Sequence, residues 1–341
     1  MPMVQYDIVH TTVYNYKQPV TFGEHRVMFR PRDSHDQRVL ATDLQISPQA
    51  DVRLILDAHS NSIALVQPKE AATELKIVCS FTIEHAHSNN LELPLSPSAE
   101  IFPFAYGIEE RFDLEQYLRP HHDDPGGALT AWARQFLRTD GPTHTRDMLV
   151  QMNQHIRDNF RYVARDEEGT QPPHRTLELG TGSCRDFALL MMEAARRLGV
   201  ATRFVSGYLY DPSLDDKTGK SGPAEGQVAS AAAQDQASSS AAAPPTGGTG
   251  GTGGAPAAAP AVDANTQSTV GAGYTHAWLQ AYLPGAGWVP FDPTNNLLGG
   301  TQLIRVGVAR DPSQAPPVSG SWFGKPDDYL GMTVGVTVKR R

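Results

Sequence analysis

The sequence predicts an α+β protein: an N-terminal all-β domain followed by a core in which helices pack on an antiparallel sheet. Three observations carry that prediction. Apolar and polar residues alternate with period two from Tyr6 to about His87, the period lengthens to that of helices after the Pro/Ser-rich stretch LELPLSPS, and strand-like segments return beyond Leu198. At 341 residues the chain is long for one ordinary domain, so two structured units are expected, 1–92 and 93–341.

In the first unit the clearest strand is ELKIVCSFTI, where Leu75, Ile77, Cys79, Phe81 and Ile83 recur at every second position and share one face. Cys79 is then a small core hydrophobe, since nothing around it would activate a thiol. DAHSNS, Asp57 to Ser62, reads as the hairpin connection between VRLIL and IALV. Past the boundary, Leu129, Trp132, Ala133, Phe136 and Leu137 form one helical stripe, and Met148, Met152, Ile156 and Phe160 form another, with Thr145 placed to cap the second. The methionines at that spacing are packing material. FRYVA reads as a short strand, and a loop from Asp166 to Gly182 leads to GTGSCRDFALL. There Phe187, Leu190, Met191, Ala194 and Leu198 recur at three- and four-residue steps, and Gly199 supplies a stop. TRFVSGYLY, THAWLQAYLP and GWVPFDP read as strands. Between the first two lies a tract of Ala, Gly, Ser, Thr and Pro, 213–270, expected to be a disordered insertion because it has almost no large apolar residues to bury. The C-terminal part, from TQLIRVGVARDPS to MTVGVTVKRR, is assigned short strands and turns within the second unit.

Several function classes are disfavoured by composition. A net charge of −8 gives no general attraction to phosphate backbones, so no nucleic-acid partner is expected. No stretch approaches the ~20 apolar residues of a membrane span, and the N-terminus lacks a leader pattern, so a cytoplasmic protein without a membrane partner is expected. Cys79 and Cys184 are too few and too far apart for a disulfide framework, and both should be free thiols. No clustered acidic loop implies calcium.

Cys184 lies at the start of its helix, where unpaired N–H groups and the positive end of the helix dipole favour a thiolate and can stabilise an oxyanion. A buried helix-start cysteine is the competing reading. A thiol nucleophile needs a base, and the base an orienting group. His276 heads one strand and Asp292 closes the next. If the turn is Leu283, Pro284 and Gly285, with Tyr282 facing Ala286, His276 stands opposite Asp292 on one face. Taken singly, His276 reads as an ordinary strand histidine and Asp292 as an Asp-Pro turn initiator. Trp278 shares the face of His276 and is a candidate substrate contact or a shield for the His276–Asp292 bond; core packing is the alternative. Asp186 and Arg185 either pair with neighbours that shape a cleft, or Asp186 serves the first turn of the helix.

GSCRDFA, THAW and GWVPFDPT, in that order, resemble the transglutaminase-like superfamily, in particular bacterial members described as cysteine proteases. The β-rich N-terminus is similar to the domain that precedes the core in that group. The resemblance implies a papain-like, transglutaminase-like core with Cys184 as nucleophile, His276 as general base and acid, and Asp292 orienting His276. It further implies a peptide or protein amide substrate, a thioester intermediate and no cofactor, and it leans toward hydrolysis, with protein-glutamine transamidation as the alternative. A non-catalytic binding protein on the same fold and a zinc site using Cys184, His276 and Asp292 are the rival readings.

Overall fold

The computed structural model describes residues 3–86, 93–164, 169–215, 269–300 and 302–341. The first six strands are β1 (Met3–Phe22), β2 (His25–Val27), β3 (Gln37–Ser47), β4 (Ala50–Leu56), β5 (Ser62–Pro68) and β6 (Ala72–Ala86). A short pair, β7 (Ile101–Phe102) and β8 (Thr143–His144), brackets helices α1 (Ile108–Leu118) and α2 (Ala128–Arg134). Helix α3 (Thr145–Asn159) and strand β9 (Arg161–Tyr162) follow, then α4 (Pro173–Leu179), β10 (Thr181–Gly182) and α5 (Cys184–Arg197). The remaining strands are β11 (Thr202–Leu209), β12 (Thr275–Leu283), β13 (Gly287–Asp292), β14 (Leu297–Leu298), β15 (Leu303–Ala309), β16 (Val318–Ser319), β17 (Trp322–Phe323) and β18 (Tyr329–Arg340).

Alternation shapes the N-terminal sheets. In β6 the residues Leu75, Ile77, Cys79, Phe81 and Ile83 are all buried, as their spacing requires, and β6 pairs antiparallel with β1 on one side and β3 on the other. A second sheet runs β16-β2-β5-β4. Its β4–β5 hairpin turns at Asp57 to Asn61, where Asp57 N–H donates to Asn61 O at 3.1 Å. The third sheet, β14-β13-β12-β11-β15, is antiparallel throughout and carries α5 packed on β12 and β11. One continuous apolar core runs from the N-terminal strands through α5 to this sheet.

Helix α5 is buried nearly all round, including Ala188, Leu189, Met192 and Ala195 off the predicted stripe. Its charged residues survive there by pairing: Glu193 accepts from Arg196 at 2.9 Å and from Arg197 at 2.7 Å. The helix ends as expected, with Gly199 in the left-handed region.

Three features differ from the sequence reading. Strand β18, assigned there to the second unit, pairs with β1 from Tyr6↔Arg340 to Tyr16↔Tyr329 and so belongs to the N-terminal sheet. That pairing joins the two ends of the chain, which no local pattern encodes. Thr145 is the first residue of α3 rather than its cap, and its hydroxyl has no partner among the described residues. Helix α1 was not anticipated, because Ile108 and Phe112 stay exposed and give it no apolar stripe.

The tract expected as an insertion lies, over 216–268, outside the described residues. Its flanks meet: β11 and β12 pair from Thr202↔Ala281 to Tyr208↔Thr275, and the Asp211 carboxylate accepts from Thr269.

Candidate active site

Strand pairing and one helix start bring the three predicted residues together. Ser183 caps α5, and Asp186 completes the cap by accepting from Ser183 N–H at 2.8 Å and Ser183 Oγ at 2.9 Å. Asp186 also accepts from Gln171 N–H at 2.7 Å, which draws the preceding loop onto the helix start. Asp186 is therefore a capping residue. Cys184 is the first helical residue, and its N–H is one of the helix-start donors with no acceptor within the helix. Beside it runs β9, where Arg161 N–H donates to Gly180 O at 2.8 Å and Val163 N–H to Gly182 O at 2.9 Å.

His276 and Asp292 come from neighbouring strands, in a register two residues away from the predicted one. Tyr282 faces Trp288 and Leu283 faces Gly287, so the turn is Pro284, Gly285 and Ala286. The turn has the predicted length but starts one residue later, with Gly285 at φ +89° and Gly287 at φ +70°, and is closed by Ala286 N–H donating to Leu283 O at 3.0 Å. The pairing runs on to Leu279↔Phe291, so Asp292 is level with Trp278 and lies diagonally from His276. A two-residue shift preserves the face of every side chain. His276 Nε2 and Asp292 Oδ2 accordingly meet at 2.8 Å, with both side chains wholly buried.

The electrostatics follow from that contact. Burial opposes a charge on His276, but the Asp292 carboxylate and its hydrogen bond outweigh burial, the Cys184 thiol adds to them, and the pKa is pushed up to about 10. Burial likewise raises the Asp292 pKa, yet the His276 charge and donors from His276, Asn295 and Thr294 N–H bring it below the usual carboxylate value. With Nε2 occupied by Asp292, Nδ1 is the nitrogen left for the thiol, and it has no other partner among the described residues. Cys184 is buried, at 7% exposure.

Trp278, offered above as a substrate contact, is 1% exposed and stacks on His276 with centroids 6.0 Å apart and planes at 25°. It packs with Val205, Leu209, Leu303 and Val308, as the core-packing alternative has it. Three residues near Cys184 and the His276–Asp292 pair escaped sequence reasoning. Tyr162 and Tyr274 are both partly exposed, and the Tyr162 hydroxyl pKa is raised by burial and by the charges of Cys184, Asp186 and Tyr274. Asn295 donates to Asp292 Oδ2 at 2.9 Å. Tyr274 directly precedes THAW and Asn295 directly follows FDPT, and that adjacency was the available signal. Among the described residues, no three His, Cys, Asp or Glu side chains are grouped to hold a metal ion, and no helix is long and apolar enough to cross a membrane.

An N-terminal β unit, an α+β core, and a cysteine at a helix start beside a strand-borne His–Asp pair define a transglutaminase-like architecture. Comparison with known families agrees: residues 130–293 match the transglutaminase-like superfamily and residues 6–84 match the bacterial transglutaminase-like N-terminal region. Residues 130–293 are thus a transglutaminase-like core, with the bacterial transglutaminase-like N-terminal region ahead of it. The chain is 24% identical over 335 residues to the uncharacterized protein ML0607 of Mycobacterium leprae, covering 97% of each chain. To the uncharacterized protein Rv2569c of Mycobacterium tuberculosis it is 23% identical over 323 residues, covering 93% of this chain and 87% of the relative. A solved structure described as "a Putative Cysteine Protease from Cytophaga hutchinsonii" shares the fold at a TM-score of 0.62 and 16% identity, covering 99% of this chain and 91% of that one.

Proposed function

We propose that the protein is a cysteine-dependent amide hydrolase or acyl transferase acting on peptide or protein substrates. The observation that carries this reading is the buried His276–Asp292 contact of 2.8 Å, which leaves Nδ1 of the imidazole for Cys184 at the start of α5. A binding protein needs neither a buried His–Asp pair nor a thiol beside it, whereas titratable groups perturbed by burial and a charge partner gather at catalytic sites.

In the reaction, Cys184 Sγ attacks the amide carbonyl carbon, and the charge that develops on oxygen is met by the helix-start N–H of Cys184. The C–N bond breaks as the proton on His276 passes to the leaving amine, and a thioester remains on Cys184. Water or a primary amine then attacks the thioester and gives its proton to His276, releasing the acyl product and the thiolate. Asp292 holds the ring and balances its charge throughout. Water as acceptor makes the protein a protease or amidase, which we favour; a lysine-like amine would make it a protein-glutamine transglutaminase. Free Cys79 and Cys184 suit a reducing compartment and support a cytoplasmic setting.

The test is a peptide-library screen with wild type and Cys184→Ala, run with and without a fluorescent primary amine. Cleavage lost in Cys184→Ala supports the hydrolase, and amine incorporation lost in it supports transamidation. Turnover that persists in Cys184→Ala ends the proposal.

A further inference from the structure

Asn295 makes three hydrogen bonds that converge on the reacting group. Its Nδ2 donates to Asp292 Oδ2 at 2.9 Å and to Val270 O at 3.1 Å, while its Oδ1 accepts from Val270 N–H at 2.9 Å. One amide thus serves the carboxylate that binds His276 and both backbone groups of a residue just ahead of β12. The segment it grips lies against the imidazole. A Cβ built on Gly271, which sits at φ +94°, would come within 2.7 Å of His276 Nδ1, so only glycine lets the backbone pass there. Further on, Gly273 O accepts from Val336 N–H of β18 at 3.0 Å, anchoring the segment's other end to the N-terminal sheet.

The loop carrying Asn295 is held independently. Thr294 N–H donates to Asp292 Oδ1 at 2.9 Å, and Asn153 Nδ2 on α3 donates to Asn296 Oδ1 at 2.9 Å. Asn296 itself is in the left-handed region at φ +53°. Asn153 therefore supports the loop without touching the His–Asp pair.

We infer that Asn295 is a positioning residue, which locks the backbone strap 270–273 over His276 Nδ1 and the carboxylate at His276 Nε2 into one hydrogen-bonded unit. This rests on the reading of Cys184, His276 and Asp292 given above. Both faces of the imidazole's task, its distance from the strap and its grip on Asp292, then depend on a single amide that can donate and accept at once. An aspartate at the same position could still accept from Val270 N–H, but when ionised it could donate to neither Asp292 nor Val270 O and would set a second negative charge beside the first.

The experiment is alkylation of Cys184 by iodoacetamide across pH 5 to 9, read by peptide mass spectrometry in wild type, Asn295→Ala, Asn295→Asp and Asn153→Ala. The rate in Asn295→Ala should fall about tenfold near neutral pH, the loss expected for one hydrogen bond to a charged group. In the nearly isosteric Asn295→Asp the rate relative to wild type should climb as pH falls, because the new carboxyl regains a donor on protonation. Asn153→Ala should lower the unfolding temperature and leave the alkylation profile in place. Folded Asn295 variants with the wild-type rate and profile overturn the positioning role alone, as does an Asn153→Ala that slows alkylation equally. If Asn295→Ala fails to fold, Asn295→Asp decides. A wild-type Cys184 that reacts near neutral pH no faster than an ordinary thiol overturns the reading of the site, and this inference with it.

Discussion

Asp292→Asn removes the charge that keeps a proton on a buried imidazole while leaving a side chain of the same size. In the wild type, burial works against the charged ring and Asp292 overcomes it, pushing the His276 pKa up to about 10. Near pH 8 such a group is about 99% protonated, whereas an imidazole at or below the ordinary value of about 6.5 is at most about 3% protonated. Without the carboxylate, burial opposes the charged ring and only the smaller contribution of Cys184 favours it, so the substitution should cut the protonated form at that pH by roughly thirtyfold. The assay is NMR titration of histidines labelled at the ring carbon, with the His276 signal assigned from His276→Gln. Wild-type His276 should show no titration between pH 5 and about 8.5, and in Asp292→Asn the same signal should be that of a neutral ring from about pH 7 upward. Cys184→Ala, which removes the smaller contribution of the thiol, should leave the pKa above its ordinary value. A wild-type His276 that titrates near the ordinary value, or one that ignores Asp292→Asn, would refute the electrostatic account of the pair.

Cys184→Ala and His276→Ala should each abolish turnover and leave the cooperative thermal transition in place, while Asp292→Asn should keep measurable activity because the amide can still orient the ring. Cys79→Ala should behave in the opposite way: with its side chain buried in β6, the loss should be about 1 to 2 kcal/mol in urea unfolding, with alkylation of Cys184 unchanged. The His276 pKa is raised in the folded state, so its contribution to stability is fully present below the unfolded value of about 6.5 and is lost as pH rises through about 10. The urea midpoint of the wild type should therefore fall across that window more steeply than that of Asp292→Asn, and parallel curves would contradict the raised pKa.

The parts of this molecule that were legible in its sequence are those governed by a local period. Cys184 could be set at a helix start because the apolar steps from Phe187 to Leu198 locate the helix. The His276–Asp292 face survived a wrong turn for a related reason. The turn starts one residue later than predicted, which moves the strand register by two, and two is the side-chain period of a strand, so both residues kept their side of the sheet. A shift of one would have turned Asp292 away and left the imidazole without its carboxylate. What stayed illegible depends on contacts with no local signature. Strand β18 closes on β1 across the length of the chain, and the strap at Val270 meets Asn295 only because β12 and β13 fold back between them. Asn295 read as one more polar residue after an Asp-Pro turn, and its chemistry appears only once the strap that precedes His276 is beside it. Cys184, His276 and Asp292 were thus readable because strand and helix periods place them, whereas Asn295 is brought beside Asp292 by tertiary return of the chain.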